Sequence, residues 1–551
     1  MHIPDNFRQV KGRGDEAKWK EAMDQEWKSF GKYDVIEYVK RSEIKGKNIV
    51  GVRWVYDIKL DTDMETIKRY KARLVARGFT QQYGVDYDSI FAPTMNIKSM
   101  RMLLALAARD KVIAQQYDVS NAFLHACLDY DVYIEQPEGF DDPRYPRDEY
   151  VIKLKRAMYG LKNAGRAWSL HLMNALEELG FAQNSKDDCL WTLRKGNSYC
   201  HYLFHVDDIM CVCNDDVLRN EMFMKLSQIM DIKDEGNLNS FLGMRITRYD
   251  DGSYSIDQEK YIEKIAKRFG VTEKPGKKRK SPGEYGFKLT NDDLPKTTDE
   301  KKDALRCDMP ALVGALIYCI RTRFDVSYAI SDVSRFMALW GVNHYNHALR
   351  ILEYLYQTKD KKLMIKHDHL QGDLHLCLYV DANYGDDRED AVEDVKWKSQ
   401  GGYMLFMGGA LVSWCSRRHH IRVLSSMESE YVEASDASKE VLWARQLLGE
   451  LGHTQHKPTV IYEDNTACIN FTKLGKITER TKHIDIRKYY LKQIQQQNLV
   501  EIQHISTDIQ LADMMTKYIL QKSFITMRDI VFDGIKDHHV YVESKPRKHI
   551  A

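Results

Sequence analysis

Leu374, Leu376, Leu378 and Val380 recur at period two, the mark of a half-buried strand, and the run delivers Asp381 near its end. Two more strands are predicted at Gly402–Met407 and Leu411–Ser416, then a helical stretch from near Ser426 to Leu451 and a strand at Val460–Tyr462. In the first half, Cys200–Asn214 reads CHYLFHVDDIMCVCN, two apolar runs around an acidic pair. This predicts a β-hairpin with Asp207-Asp208 at or beside its tip. Gln116–Ala126, QYDVSNAFLHA, predicts a strand ending at Asp118 before a helical stretch that Ser120 would cap. In RYKARLVAR, Arg69, Lys71 and Arg73 share one face of a strand. The apolar run Met309–Ile320 is too short for the roughly 20 residues that span a bilayer, and predicts a buried helix.

These elements fall into zones. Short β-like and helical runs alternate from about residue 19 to 270. Residues 271–303 are charged and punctuated by Pro and Gly, the composition of a linker or mobile loop. Helical text leads on to about 371, strands and helices alternate over 372–520, and 521–551 reads as a C-terminal tail. The chain is thus predicted to be an α/β (α+β) multidomain protein. Its 551 residues, at roughly 150 per domain, agree with three to four domains.

Composition narrows the class. With 43% hydrophobic residues there is material for several cores, and 11 Pro with 31 Gly exclude a collagenous or Pro/Gly-rich disordered chain. Lys+Arg 82 against Asp+Glu 80 leaves +2, so affinity for nucleic acid must come from local basic patches. The start, MHIPDNFRQV, has no apolar core of a signal peptide, and the ten cysteines form no framework, so a soluble intracellular protein is expected. Cys211 and Cys213 read as buried free thiols. The cluster Lys277–Lys280 is a solvated linker before it is a nuclear-localisation or nucleic-acid patch, and His344/His347 and His419-His420 lack partners at zinc spacing.

The acidic positions carry the candidate chemistry. A merely structural hairpin turn favours Asn-Gly or Asp-Gly, so Asp207-Asp208 beside apolar strands is unfavourable unless a cation neutralises it. Successive strand side chains face opposite ways, so the two acids point together only if the turn redirects one. Asp118 has a plain reading as a turn or cap residue. Its functional reading is a third carboxylate beside the hairpin, an all-oxygen set suited to Mg²⁺. The Arg69/Lys71/Arg73 face is a solvated strand face on its own, and a triphosphate clamp if it meets those acids.

KARLVARGFTQQYGVDYDSIFAP, YDVSNAFLHACLDYDVYIEQPEGF, LKRAMYGLKNAGRAW, HVDDIM and NSFLGM occur in the order found in reverse transcriptases of copia-type LTR retrotransposon Pol polyproteins, which this chain resembles over roughly 19–269. The resemblance implies a fingers–palm polymerase. It also implies Asp118, Asp207 and Asp208 as the metal-binding triad, Lys71 and Arg73 as triphosphate contacts, Phe123 as the aromatic gate against a ribose 2′-OH, and Leu242-Gly243 as the grip on the primer. Two departures stand out. His205 replaces the tyrosine of the Tyr-x-Asp-Asp box, and Lys162-Asn163-Ala164-Gly165-Arg166 replaces Lys-Gln-Ser-Pro-Arg. Asn163 keeps a shortened amide in the substrate-binding role, and altered fidelity or rate is expected rather than loss of chemistry.

A second set of acids lies further on. Asp381 follows a strand; Glu428 fits a capping box with Ser425; Asp464 follows a strand and could cap a helix; Asp513 sits in a first turn. Each has a plain explanation, yet gathered without cations the four would repel one another. With two divalent ions they would activate water for phosphodiester cleavage. His483 could assist proton transfer. LYVDANYGDD, VLSSMESEYVEAS, IYEDNTACI, ERTKHIDIRKYYL and LADMMTK resemble the same family's ribonuclease H domain, a mixed-sheet domain joined to the polymerase by a helical connection. Asn383 where a second Asp is usual, and the long acidic stretch DDREDAVEDV, are its departures.

The resemblance implies an RNA-directed DNA polymerase with ribonuclease H activity. Each active site would use two Mg²⁺ (or Mn²⁺) ions. The partners would be RNA template, DNA primer, RNA–DNA hybrid and deoxynucleoside triphosphates, without a membrane. Association with an integrase or a second copy, DNA integration, cytoplasmic particles and nuclear entry belong to the same expectation. The sequence has no zinc knuckle, aspartic protease signature or integrase region, so the expected origin is the C-terminal portion of a Pol polyprotein or a truncated frame. The rivals are a relic in which only the nuclease works, or a domesticated nucleic-acid-binding protein.

Overall fold

The computed structural model describes residues 3–60, 67–273, 278–370, 374–385, 398–474 and 485–543. The chain divides into two compact units, Met1–Met95 with Gln115–Gly236, and Asn96–Ala114 with Asn237–Ala551. It is a mixed α/β structure with several sheets. Among the described residues, no helix is long and apolar enough to cross a membrane.

The first unit is built on a six-stranded sheet in the order Ile232–Asn237, Gln115–Val119, Asp208–Cys213, Ser198–His205, Asp187–Lys195, Ala182–Asn184. Its central hairpin reads as continuous apolar text because it is covered on both faces: Tyr199–Phe204 and Ile209–Cys213 are all buried. Cys211 and Cys213 are buried free thiols, as expected. The helix Asp216–Ile229 buries Leu218, Met222 and Leu226, and begins where Asp215 accepts hydrogen bonds from the Val217 and Leu218 amides. A separate ribbon pairs Val52–Leu60 with Ile67–Ala76 in the register Asp57↔Lys71, Val55↔Arg73. The helix Glu16–Lys32 covers it through Trp19, fully buried and set edge-on to Tyr56 and Tyr70.

The second unit holds a five-stranded mixed sheet ordered Ala410–Arg418, Gln400–Met407, Leu376–Asn383, Thr459–Glu463, Val500–His504. The first three strands are antiparallel, and the last two run parallel to Leu376–Asn383. The helix Ser426–Glu450 makes the connection to the first of the parallel pair. Helices Met309–Cys319, Ser327–Ser334, Val342–Gln357 and Gln521–Asp533 share one core with this sheet. The apolar run 309–320 forms the predicted helix, which buries Met309, Leu312, Val313, Ala315, Leu316 and Cys319 while Ile317 stays exposed.

Three stretches differ from their sequence reading. The helix Ile97–Arg109 belongs to the second unit although it lies inside the 19–270 block. Met100 and Met102–Ala108 are all fully buried, and Arg101 is made tolerable there by donating to the carbonyls of Val412 (3.0 Å) and Arg321 (2.5 Å) while lying 3.8 Å over the Trp414 ring. The 271–303 stretch is more than a linker. Arg279 pairs with Glu353 at 2.9 Å, Ser281 is buried, and Thr297 forms a capping box for the helix Thr298–Leu305; Lys277 lies outside the described residues. Residues 521–533 form a helix with Phe524, Met527, Val531 and Phe532 in the core, so this part of the predicted tail is packed structure.

Candidate active sites

In the first unit, sheet register brings the acids together. Asp208 is paired directly with Asp118, and His205 with Asp208, so these three side chains form a row across three strands on one face. Directly opposed residues have Cβ atoms roughly 5 Å apart. The hairpin is closed by only Val206 and Asp207, and Val206 takes φ 56°, a left-handed value that β-branched residues avoid. The Trp168 indole donates to the Val206 carbonyl at 2.6 Å and pins the turn. That turn redirects Asp207, which lines a cavity of about 390 Å³ together with Asp118.

The electrostatics match a cation-seeking cluster. Burial, then Asp207 and Glu235, raises the Asp118 carboxyl above its ordinary value. Burial, then Asp207, raises Asp208, against the Gln116 amide that donates to it at 3.2 Å. Opposite the acids, the cavity wall is cationic: Lys59, Arg69, Lys71 and Arg73. Burial, then repulsion from Arg73, Lys59 and Arg69, lowers the Lys71 ammonium to about 8. A wall so crowded with positive charge is built for an anion.

Tyr159, absent from the sequence reading, completes this wall. The Arg73 guanidinium lies 5.0 Å over its ring, and Phe123 packs on it edge-on at 4.7 Å. Phe123 itself is half-buried behind Tyr159 and does not line the cavity. The close approach is permitted by Gly160, φ 90°, where a Cβ would stand 2.2 Å from the Ala76 carbonyl oxygen. The Ala76 amide donates to the Tyr159 carbonyl at 2.8 Å. Asn163 is buried at the start of the helix Ala164–Glu178, accepts from the Gln81 amide at 3.4 Å and is not part of the cavity lining. Ser120 caps nothing: the element after Asp118 is a 3₁₀ turn, Ala122–His125, whose N-cap is Asn121 in a left-handed conformation. Asp231, also missed, is held on the cavity rim by Lys32 (2.5 Å) and the Tyr33 hydroxyl (2.8 Å).

Leu242-Gly243 belongs to the second unit. It is the two-residue turn between Ser240–Phe241 and Met244–Arg248, with φ of 50° and 69° as a type I′ turn requires. The Tyr318 hydroxyl donates to the Leu242 carbonyl at 2.5 Å, and a Cβ on Gly243 would meet that hydroxyl at 2.5 Å.

The second unit carries its own acid cluster. Carboxylate oxygens of Asp381, Glu430 and Asp464 all lie within 4.8 Å of one another. Asp381 and the neighbour pair Glu463-Asp464 come from the adjacent parallel strands, and Glu430 from the helix laid over them. Asp513 is linked to the group through Lys517, whose ammonium lies 2.9 Å from Asp513 and 3.6 Å from Asp381. Glu428, expected in this group, is elsewhere. Its carboxylate accepts from the Leu424 amide at 2.7 Å and its own amide donates to the Ser425 hydroxyl at 3.2 Å, a helix-capping arrangement. His483 and the stretch 386–395 lie outside the described residues.

Burial and like charge raise Asp464, lift Asp513 to about 8, and push Glu430 and Glu463 well above the carboxylate range. One buried oxygen of Glu430 and one of Glu463 have no hydrogen-bond partner. Orphaned carboxylate oxygens among mutually repelling acids fit a site for a hard divalent cation.

Comparison with known proteins identifies the family. Residues 33–280 match the reverse transcriptase (RNA-dependent DNA polymerase) family, so the chain contains a reverse transcriptase domain. It is 33% identical over 531 residues to the retrovirus-related Pol polyprotein from transposon TNT 1-94 of Nicotiana tabacum, covering 96% of this chain and 39% of that protein. It is 36% identical to the corresponding polyprotein from transposon RE1 of Arabidopsis thaliana, over 86% of this chain and 31% of that one. It covers 100% of a transposon Ty5-1 protein of Saccharomyces cerevisiae at 30% identity, over 59% of its own length. The chain belongs to the copia-type, retrovirus-related Pol polyproteins of transposons. It spans well under half of the two plant polyproteins.

Proposed function

We propose that the chain is an RNA-directed DNA polymerase joined to a ribonuclease H, and that both sites work by metal-assisted phosphoryl transfer. The observation that carries the polymerase reading is the direct pairing of Asp208 with Asp118, with Asp207 turned onto a cavity whose other wall is cationic. Asp118, Asp207 and Asp208 would hold divalent ions, Mg²⁺ or Mn²⁺, in the first unit; Asp381, Glu430, Asp464 and Asp513 would hold them in the second. Such ions act as Lewis acids on the attacking and leaving oxygens of an in-line displacement.

The chain's own residues supply the rest. Lys71 and Arg73 bind the triphosphate of an incoming deoxynucleotide and neutralise the charge that develops on the leaving pyrophosphate. Arg73 also stacks on Tyr159, which holds its guanidinium in place, and Phe123 supports that ring against the side where a ribose 2′-OH would enter. Leu242-Gly243 presents a rigid turn as the primer grip. In the second unit Asp381, Glu430 and Asp464 orient the hydrolytic site, with the mixed-sheet order supporting a ribonuclease H-like domain. Template, primer and hybrid contacts fall on phosphate and sugar, sequence-tolerant and salt-sensitive. Cytoplasmic particles, nuclear entry and association with an integrase or a second copy belong to the same reading.

The test is a pair of assays on the full chain with Mg²⁺: extension of a DNA primer on RNA, and cleavage of the RNA strand of a hybrid. Asp207→Asn abolishes extension and spares cleavage, and Glu430→Gln does the reverse. Loss of both activities in both variants refutes two separate sites. Cleavage without extension in the unaltered chain leaves the polymerase a relic, the reading that His205 and Asn163 would favour.

A further inference from the structure

The short turn Asp513–Thr516 and the residue after it bring three different groups to the second acid cluster. Asp513 adds a carboxylate, the Thr516 hydroxyl donates to Asp381, and the Lys517 ammonium bridges Asp513 at 2.9 Å and Asp381 at 3.6 Å. A cation between two carboxylates that repel each other occupies the kind of position a divalent ion seeks. Lys517 is not locked there. Its side chain is 37% exposed while those of Asp381 and Asp513 are 3% and 9% exposed, so the ammonium can leave along its flexible stem and the acids cannot.

We propose that Lys517 is a resident counter-cation: it holds the Asp381–Asp513 edge together when no metal is bound, and it competes with the divalent ion for that edge. This rests on the reading of Asp381, Glu430 and Asp464 as a metal site. Thr516 keeps Asp381 aimed at the cluster in either state, so that displacement of the ammonium does not cost the carboxylate its orientation. Metal affinity in this unit is then set by a difference, the gain from the ion less the loss of the ammonium contacts.

The experiment is calorimetric titration of Mn²⁺ into the full chain carrying Asp207→Asn and Asp208→Asn, so that the heat reports the second unit. In that background Lys517→Met binds Mn²⁺ up to about fivefold more tightly, the size expected for losing one partly exposed competing ion pair. Lys517→Arg, which keeps the charge, binds as the background does or more weakly. The metal-free Lys517→Met protein melts earlier, and saturating Mn²⁺ closes the gap. Lys517→Gln serves if the methionine variant does not fold.

Equal or weaker Mn²⁺ binding by the uncharged variants, with binding abolished by Asp381→Asn, overturns the competitor role and leaves the metal site standing. Binding unchanged by both Asp381→Asn and Glu430→Gln removes the metal site, and this proposal with it.

Discussion

Lys71 offers a pH-dependence with a defined sign. Its ammonium sits at about 8 because burial disfavours the charge and Arg73, Lys59 and Arg69 repel it, with Glu26 giving partial support. From a value of about 8, roughly 90% of the chains carry the charge at pH 7 and roughly 10% at pH 9. A triphosphate reverses the surroundings, so nucleotide binding favours the protonated form and its apparent affinity falls as the proton is lost. A charge-assisted contact to phosphate contributes about 1.5–3 kcal/mol, enough for the neutral form to bind poorly. We therefore expect kcat/KM for single-nucleotide incorporation to fall about tenfold between pH 7 and pH 9, as the charged fraction does. Lys71→Arg, always charged, is flat over that range; Lys71→Met is flat and lower by about ten- to a hundredfold. Stability must move the other way. The native lysine titrates below its unfolded value of about 10.4, so the unfolded chain binds more protons between about pH 8 and 10.4, and this group's contribution to stability rises with pH there. Falling catalysis with rising stability separates this effect from alkaline unfolding. Superimposable profiles for the unaltered chain and Lys71→Arg refute the assignment.

Two further expectations concern stability. Glu428→Gln keeps a carbonyl to accept from the Leu424 amide, so it costs under about 1 kcal/mol in urea denaturation and leaves hybrid cleavage intact, whereas Glu430→Gln replaces a carboxyl that burial and its neighbours already hold towards the neutral form, so it changes metal-free stability little and abolishes cleavage. Gly243→Ala places a methyl 2.5 Å from the Tyr318 hydroxyl at φ 69°. It costs roughly 2–3 kcal/mol of denaturation free energy, from left-handed strain plus the lost Tyr318–Leu242 bond, and combining it with Tyr318→Phe costs less than the sum of the two.

The hairpin was legible because its text allows little else: two apolar runs with two residues between the paired His205 and Asp208 fix a register, and register fixes which acid opposes Asp118. How Asp207 comes to line the cavity beside Asp118 was not legible, since it rests on a backbone conformation at Val206 that no propensity favours; Asp208, though paired with Asp118, does not line that cavity. Asn163 illustrates the converse: its residue type allowed a substrate contact, but its amide is spent on Gln81 in the interior. The helix Ile97–Arg109 carries no mark of which unit it joins, because an all-round apolar helix is satisfied by any core that covers it; the partners of Arg101 decide, and they lie some 220 and 311 residues away in sequence.

Helical geometry separates Glu428 from Glu430, and their contacts choose between them. Two residues along a helix turn through about 200°, so only one of the pair can face the sheet. Glu430 continues at helical spacing into Ala434, Ala437, Val441 and Ala444, every one of them fully buried. Glu428 continues into Val432 and Ser435, which are buried as well, and only then reaches Lys439, which pairs with Asp436 at the surface, so burial at this end of the helix does not choose between the two acids. Glu430 heads the small-residue ladder, and its carboxylate meets those of Asp381 and Asp464. The capping motif at Ser425-x-x-Glu428 argued for the structural role of Glu428, and the gathering of Glu430 with Asp381 and Asp464 is what singles out its neighbour. An acid that appears on an otherwise Ala- and Val-lined helix face has no solvent to turn to, so it either keeps its proton, as burial and the neighbouring acids favour for Glu430, or meets a positive charge. Under the reading proposed above, a divalent ion would supply that charge in the second unit, with Lys517 standing at the edge of the same group of acids.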